Sequence, residues 1–296
     1  MSDERGRVVV FGDVIDDIIV TPNGPIRPDT DTPSSIERRG GGSAANMATW
    51  LAAAGIPVDF VGRVGVLDLE RHSRILAEAG VRPMLAADHL LPTGTIIILI
   101  DGDKRSMLTE RGANAALEPE AVSDALLEGA IALHFTGYSL FNRDDTSAFT
   151  RLIKRARSRG VCVSVDAASA GFLADFGAKR FLGAVAGAEL LFPNLDEGTV
   201  LTGLTEPRAI AEKLAKKFPV VALTMGSAGV VVATHGESFV AEVSPSRTVD
   251  PTGAGDAFCA GFLGEWIASH DAYAAVEAGS RLAARAVTVV GGRPSV

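Results

Sequence analysis

Cysteine is nearly absent: Cys162 and Cys259 are the only two, far apart and set among apolar or small residues. They read as two buried thiols rather than a disulfide, which suits a reducing compartment. Aromatics make up only 6% of the chain. No apolar run is long enough to span a membrane. The first, Val8 to Phe11, is too short for a signal sequence, and the polar stretch Met1 to Arg7 precedes it. A soluble, unprocessed protein of the cytoplasm is expected, with no membrane partner. Positive charge is in deficit, with 28 basic against 36 acidic residues and a formal charge of -8. Without a local basic patch, no nucleic-acid partner is expected either. His72, His89, His134, His235 and His270 show no metal-ligand spacing, and no Ser/His/Asp order or carboxylate pair points to a hydrolase. A P-loop is excluded by the lack of Gly-Lys-Ser/Thr. The stretch Gly12-Asp13-Val14-Ile15-Asp16-Asp17 lacks the glycine fingerprint of a dinucleotide site.

Apolar material is plentiful, 47% of 296 residues, enough for one large α/β domain or one with a small appendage. Short β-branched runs alternate with amphipathic stretches, the pattern of a mainly parallel sheet with helices on both faces. Core strands are predicted at Val8 to Phe11, Val58 to Val61, Ile131 to Phe135, Val161 to Asp166, Leu190 to Phe192 and Val220 to Thr224. Gly55, Gly80 and Gly160 each close an apolar-periodic segment as helix-ending glycines do. Two stretches break the rhythm. Thr93 to Asp101 and Arg105 to Glu110, joined through Gly102-Asp103, read as an inserted hairpin whose first strand is apolar on both faces. One face is expected to close over a ligand and the other to meet a second subunit; the alternative is a strand inside the main sheet. Pro22 to Arg39 reads as a loop followed by a short strand near Ile36.

The segment Asp250-Pro251-Thr252-Gly253-Ala254-Gly255-Asp256 runs directly into the helix-forming Ala257 to Leu263. Gly253 and Gly255 therefore sit at a helix N-terminus, where unpaired N–H groups and the positive dipole end favour an anion. A carboxylate at Asp256 would repel a bound phosphate. It makes sense as a general base that takes a proton from an attacking hydroxyl.

That segment resembles the signature of the ribokinase-like, or PfkB, family of carbohydrate kinases. Gly41-Gly42-Ser43-Ala44-Ala45-Asn46 is similar to the family's N-terminal signature, Asn194-Leu195-Asp196-Glu197 to its Asn-x-x-Glu motif, and Thr224 to Gly229 to its nucleotide-side glycine loop. Arg111 to Leu117 and Gly291-Gly292-Arg293-Pro294-Ser295 are similar as well, and all occur in family order. The resemblance implies one αβα three-layer domain over 1–296 with a mainly parallel central sheet. A small β-sheet lid would be built from segments near 20–40 and 93–111. It implies ATP as phosphoryl donor with Mg²⁺, and a lid-mediated homodimer. Asp256 would be the base, and the amides of Gly253, Ala254 and Gly255 would form the anion hole. Asn194 and Glu197 would organise Mg²⁺ and its waters, with Thr224, Gly226 and Gly229 on the nucleotide side. Asp17, taken to end the first strand segment, would bind the acceptor with Gly41, Gly42 and Asn46, although Asp13 and Asp16 lie close enough to compete with Asp17. Asp250, Thr252, Ala286, Val289, Gly291 and Ser295 match positions around a potassium loop; the same residues suit a plain C-terminal turn.

Departures fall where the acceptor is chosen. Ser43-Ala44 stands where ribokinases often carry Lys-Gly, and Tyr138-Ser139-Leu140 replaces an acidic residue used by some of them. A sugar or sugar-derived acceptor is expected, with a nucleoside as the alternative and a non-catalytic nucleotide-binding regulator as the rival from another class.

Overall fold

The computed structural model describes residues 6–102, 104–141, 143–234, 236–243 and 246–294. Ser295, Asp103 and His235, which figure in the expectations above, lie outside the described residues. The chain order begins with β1 (Arg7–Phe11), β2 (Ile15–Pro22), β3 (Ser34–Gly41), β4 (Val58–Gly65) and β5 (Arg82–Asp88). It continues with β6 (Gly94–Asp101), β7 (Lys104–Glu110), β8 (Ala130–Thr136) and β9 (Cys162–Asp166). The last four are β10 (Leu190–Phe192), β11 (Val220–Thr224), β12 (Val230–Thr234) and β13 (Ser238–Ala241).

Among the described residues, nine strands form the large sheet in the order β13-β12-β11-β10-β9-β8-β1-β4-β5. The strands from β11 to β5 pair in parallel, and β12 and β13 add an antiparallel edge. Alternation along β1 explains why the sheet is covered on both faces. Val9 and Phe11 pack into a core with Phe135, Phe149 and Phe181, while Val8 and Val10 pack into another with Trp50, Phe60 and Phe262. This is the two-sided burial that a parallel sheet needs. The predicted helix stops are real: Gly55, Gly80 and Gly160 have φ of 78°, 81° and 74° after the helices Ser43–Ala53, Leu69–Glu78 and Ser147–Arg157.

A separate four-stranded sheet has the order β3-β2-β6-β7. Its β6–β7 hairpin corresponds to the inserted hairpin read from the sequence, turning at Gly102 with φ 58°. The strand β2 is not among the predicted elements. Asp17 does not end the first strand: β1 stops at Phe11, and Asp16 and Asp17 lie on β2 in the small sheet. Two adjacent carboxylates hide the strand pattern, and the fold accommodates the first by pairing Asp16 with Arg71 at 2.7 Å and Arg38 at 2.5 Å.

The carboxyl ends of the parallel strands converge beneath the small sheet. Asp13 follows β1, Tyr138 follows β8, Asp166 ends β9, Asn194 follows β10 and Thr224 ends β11. Ligand crevices in open α/β sheets lie at this edge.

Candidate active site

A cavity of about 260 Å³ lies between the two sheets. Its wall includes Asp17, Gly42, Asn46, Asn194, Glu197, Thr224, Thr252, Gly253, Gly255 and Asp256. Segments scattered through the whole chain thus contribute to one space. Gly41, Ala254, Gly226, Gly229, Asp250, Ala286, Val289 and Gly291 are not among the residues that line it.

The helix Ala254–Ser269 supplies the floor. It is buried from Ala257 to Leu263, and it packs closely on the helix Ala272–Ala286 because its small residues allow it: a Cβ on Gly261 would lie 2.5 Å from the Ala278 carbonyl oxygen. At its N-terminus Gly253 adopts φ 76°, and a Cβ there would lie 2.5 Å from both the Cα and the oxygen of Gly292. Gly255 has open space where a side chain would stand. The Ala254 amide is turned to the Pro251 oxygen at 3.3 Å. The Gly255 amide, in the first turn, has no intrahelical acceptor by position and is available to an anion.

Asp256 lies in that first turn. Its Oδ1 accepts a hydrogen bond from the Ser43 hydroxyl at 2.7 Å, and its Oδ2 accepts one from Asn46 Nδ2 at 2.9 Å. Desolvation outweighs these two bonds, and the nearby Asp166 and Asp13 add repulsion, so its carboxyl is pushed up to about 7. Ser43 and Asn46 belong to the helix Ser43–Ala53, whose start is held by Asp13: its carboxylate accepts from the amides of Ser43 at 2.8 Å and Ala44 at 3.3 Å. Gly42 is needed just before it, with φ 100° and a would-be Cβ 2.5 Å from the Asp13 oxygen.

The three neighbouring aspartates separate by task. Asp13 caps a helix and Asp16 is neutralised by arginines. Asp17 faces the cavity and accepts no hydrogen bond from the described residues. Burial pushes its carboxyl up to about 6, opposed by the charge of Arg293.

On the opposite wall Asn194 and Glu197 form a reciprocal capping box at the start of the helix Leu195–Thr202. Glu197 Oε2 accepts from the Asn194 amide at 2.8 Å, and Asn194 Oδ1 accepts from the Glu197 amide at 2.9 Å. Burial and the charge of Glu197 raise Asp166, and burial raises Glu197. Two carboxyls that resist ionising together favour a cation between them. Among the described residues no three His, Cys, Asp or Glu side chains group into a direct metal cage. A hydrated Mg²⁺ fits such a sparse donor set, since that ion keeps most of its waters. Thr224 is tied to this wall through its amide, which donates to Pro193 O at 2.9 Å. Gly226 and Gly229 shape the turn beyond it, where a Cβ on Gly229 would lie 2.5 Å from the Ala241 oxygen.

The cation-loop residues meet in part. The Asp250 carboxylate accepts from the amides of Thr252 and Gly291, both at 2.9 Å, and from Arg105 Nη1 at 2.8 Å. Ala286 O accepts from the Val289 amide at 3.2 Å. Arg105 comes from β7, so the small sheet is tied by an ion pair to the loop that precedes the anion site.

Several residues of the site have no role assigned by the sequence pattern: Ser43, Asp166, Tyr138, Arg105 and Arg293. Asp166 has a usable signal, an acidic residue at the carboxyl end of a predicted parallel strand. Arg293 falls in a stretch that resembles the family without a role attached, and Arg105 has no signal, since each acts across more than a hundred residues of chain.

Residues 5–296 match the pfkB family carbohydrate kinases. The ATP-dependent ribose-1-phosphate kinase of Halopiger xanaduensis is 33% identical over 84% of this chain and 82% of its own length. The adenosine kinase of Sinorhizobium meliloti superposes with a TM-score of 0.87 at 24% identity, covering 99% of this chain and 97% of that one. A putative ribokinase II of E. coli, in complex with ATP and Mg²⁺, gives 0.82 at 21% identity over 97% of this chain and 94% of its own. With the ordered motifs gathered around one crevice and the match extending through nearly the whole chain, this protein belongs to the pfkB family of carbohydrate kinases.

Proposed function

We propose that this kinase transfers the γ-phosphate of ATP to a primary hydroxyl of a sugar or nucleoside, with Asp256 as general base. The observation that carries the reading is the placement of Asp256. It is a carboxyl raised to about 7, held by two donors, in the first turn of a helix whose N-terminal glycines Gly253 and Gly255 line the same cavity. Asp256 takes the hydroxyl proton as the oxygen bonds to the γ-phosphorus and the bond to ADP breaks. The amides at Gly253 to Gly255 hold the equatorial oxygens of the moving group, with Gly255 the best placed and Ala254 joining only by releasing its bond to Pro251 O. Asn194, Glu197 and Asp166 would hold hydrated Mg²⁺, which neutralises phosphate charge when bound. Thr224, Gly226 and Gly229 line the nucleotide side. That a protein of the same fold, the E. coli putative ribokinase II, is in complex with ATP and Mg²⁺ supports the choice of donor and cation.

Asp17 and Asn46 hold the acceptor hydroxyls, with Gly41 and Gly42 behind them. Ile96, Ile98 and Met107 of the small sheet form an apolar roof with Leu117. That roof favours an acceptor with a flat apolar substituent, which keeps a nucleoside beside the free sugars. Potassium near Asp250, Thr252, Ala286, Val289 and Gly291 belongs to the same proposal. Activity is expected to rise when potassium replaces choline as the assay cation.

The test is an ATP-consumption screen over pentoses, hexoses, keto-deoxy sugar acids, sugar phosphates and nucleosides. With the best acceptor, Asp256→Asn is expected to retain ATP binding while kcat falls by about a hundredfold or more. Near-normal turnover in that variant overturns the assignment of the base.

A further inference from the structure

Asp256 is held by two donors, and one of them has a support of its own. Asn46 stands between Asp256 and Arg293. Its Nδ2 donates to Asp256 Oδ2 at 2.9 Å, and its Oδ1 accepts from Arg293 Nε at 3.2 Å. A carboxamide has a donor end and an acceptor end of nearly the same shape, so a lone asparagine can present either one to a neighbour. Beside Arg293 only one orientation is stable. The reverse would set amide N–H against guanidinium N–H and carbonyl oxygen against carboxylate.

Arg293 is itself anchored. Its Nη2 donates to Gly41 O at 2.7 Å, and the carbonyl of the adjacent Gly292 accepts from Trp50 Nε1 at 2.9 Å. Trp50 is one turn beyond Asn46 on the same helix, so the C-terminal segment grips that helix at two successive levels. The space is shaped for this contact. A Cβ on Gly292 would lie 2.3 Å from Asn46 Nδ2, and one on Gly40 would lie 2.7 Å from Arg293 Nη1. Burial lowers the Arg293 guanidinium to about 10, and the charges of Asp17, Asp13, Asp16 and Asp256 oppose that shift and help keep it a cation.

We propose that Arg293 is a positioning residue for phosphoryl transfer: it fixes the carbonyl end of Asn46 and so keeps the Asn46 amide N–H on the Asp256 carboxylate. The inference rests on Asp256 being the base. Arg293 is not among the residues that line the cavity, and its effect on Asp256 passes through one amide.

The experiment measures kcat and both KM values in the full chain, using the best acceptor from the screen. Arg293→Met is expected to lower kcat by about tenfold or more with the KM for ATP within about twofold, the split expected of a misdirected base. Arg293→Lys, which retains a donor for the Asn46 carbonyl, is expected to recover most of the loss. In an Asn46→Ala background, Arg293→Met is expected to cost less than about a further twofold, because the path it acts through is already gone. Thermal melting establishes that each variant is folded. Where Arg293→Met does not fold, Arg293→Ser, too short to reach Asn46, is read the same way. A folded variant with kcat within about twofold of the parent overturns the inference, as do losses that simply multiply with that of Asn46→Ala. If Asp256→Asn is inactive while Arg293→Met is fully active, only this inference fails. If Asp256→Asn is active, the base assignment fails with it.

Discussion

At the scale of single residues, Asp256 carries opposite consequences for activity and for stability. Its carboxyl is pushed up to about 7, against a value near 4 in an unfolded chain. An acid whose folded pKa is raised favours the folded state at low pH. That contribution is complete below about pH 4 and is lost as pH rises through about 7. Asparagine cannot ionise, so Asp256→Asn removes the loss, and the Ser43 hydroxyl can rotate to accept from the new amide. The variant should therefore gain stability relative to the parent as pH rises, by about 2 kcal/mol more at pH 8 than at pH 5. Urea unfolding of the ligand-free proteins at the two pH values measures this, and an equal difference at both would mean that Asp256 is not shifted. The active enzyme needs the ionised form, so its kcat/KM should climb toward pH 7 over the range in which ligand-free stability declines. A group that works as a base and costs stability when charged belongs to function rather than to packing.

At the scale of elements, the helix Ala254–Ser269 separates two uses of glycine that the sequence places side by side. Gly253 adopts φ 76° against the Gly292 backbone, whereas Gly255 has ordinary backbone and open space. Gly253→Ala should lose about 2 kcal/mol or more, because neither contact can yield. Gly255→Ala should melt with the parent yet bind and turn over ATP poorly, since its methyl group enters the space a phosphate needs. Melting curves beside ATP kinetics distinguish them; parent-like kinetics for folded Gly255→Ala would remove that position from the anion site. Both glycines are legible in the amino-acid sequence, as are the strands β1, β4, β8, β9, β10 and β11, because runs buried on both faces are nearly uninterrupted apolar segments. The strand β2 is not, since Asp16 and Asp17 break its pattern and the two arginines that neutralise Asp16 lie 22 and 55 residues away. The edge strand β5 carries Arg82, Pro83 and Asp88 and reads as a loop until Arg82 is seen against Asp59 at 2.6 Å. The same distance in sequence hides the site's arginines. Motifs name the residues that meet phosphate, while the side chains that hold those residues in place are joined to them only by folding.

At the scale of the whole molecule, the small sheet has one face committed and one face bare. Asp17, Ile96, Ile98 and Met107 face the cavity. Alternation puts Ile18, Ile97 and Leu108 in one cross-strand row of the other face and Val20, Ile36 and Leu99 in the next. Ile36 is 65% exposed and Leu108 62%, on the two edge strands β3 and β7 of the sheet, while Arg71 of the helix Leu69–Glu78 reaches only the Asp16 end of this face. We propose that this largely apolar face, with Arg38 ending one row and Ser106 the other, is an interaction surface. Self-association through a two-fold axis would cover both copies with the same contacts. The expectation of a homodimer therefore becomes a statement about named residues. The parent should sediment at twice the chain mass at micromolar concentration, and Ile36→Glu with Leu108→Glu should shift it to one chain mass. Because the covered sheet also roofs the cavity, the separated chain should bind the acceptor more weakly than ATP. A rise in acceptor KM several times that for ATP, about five- to tenfold, is the expected kinetic mark. A parent that sediments as a single chain, or a variant that stays dimeric, would place the contact elsewhere or deny it.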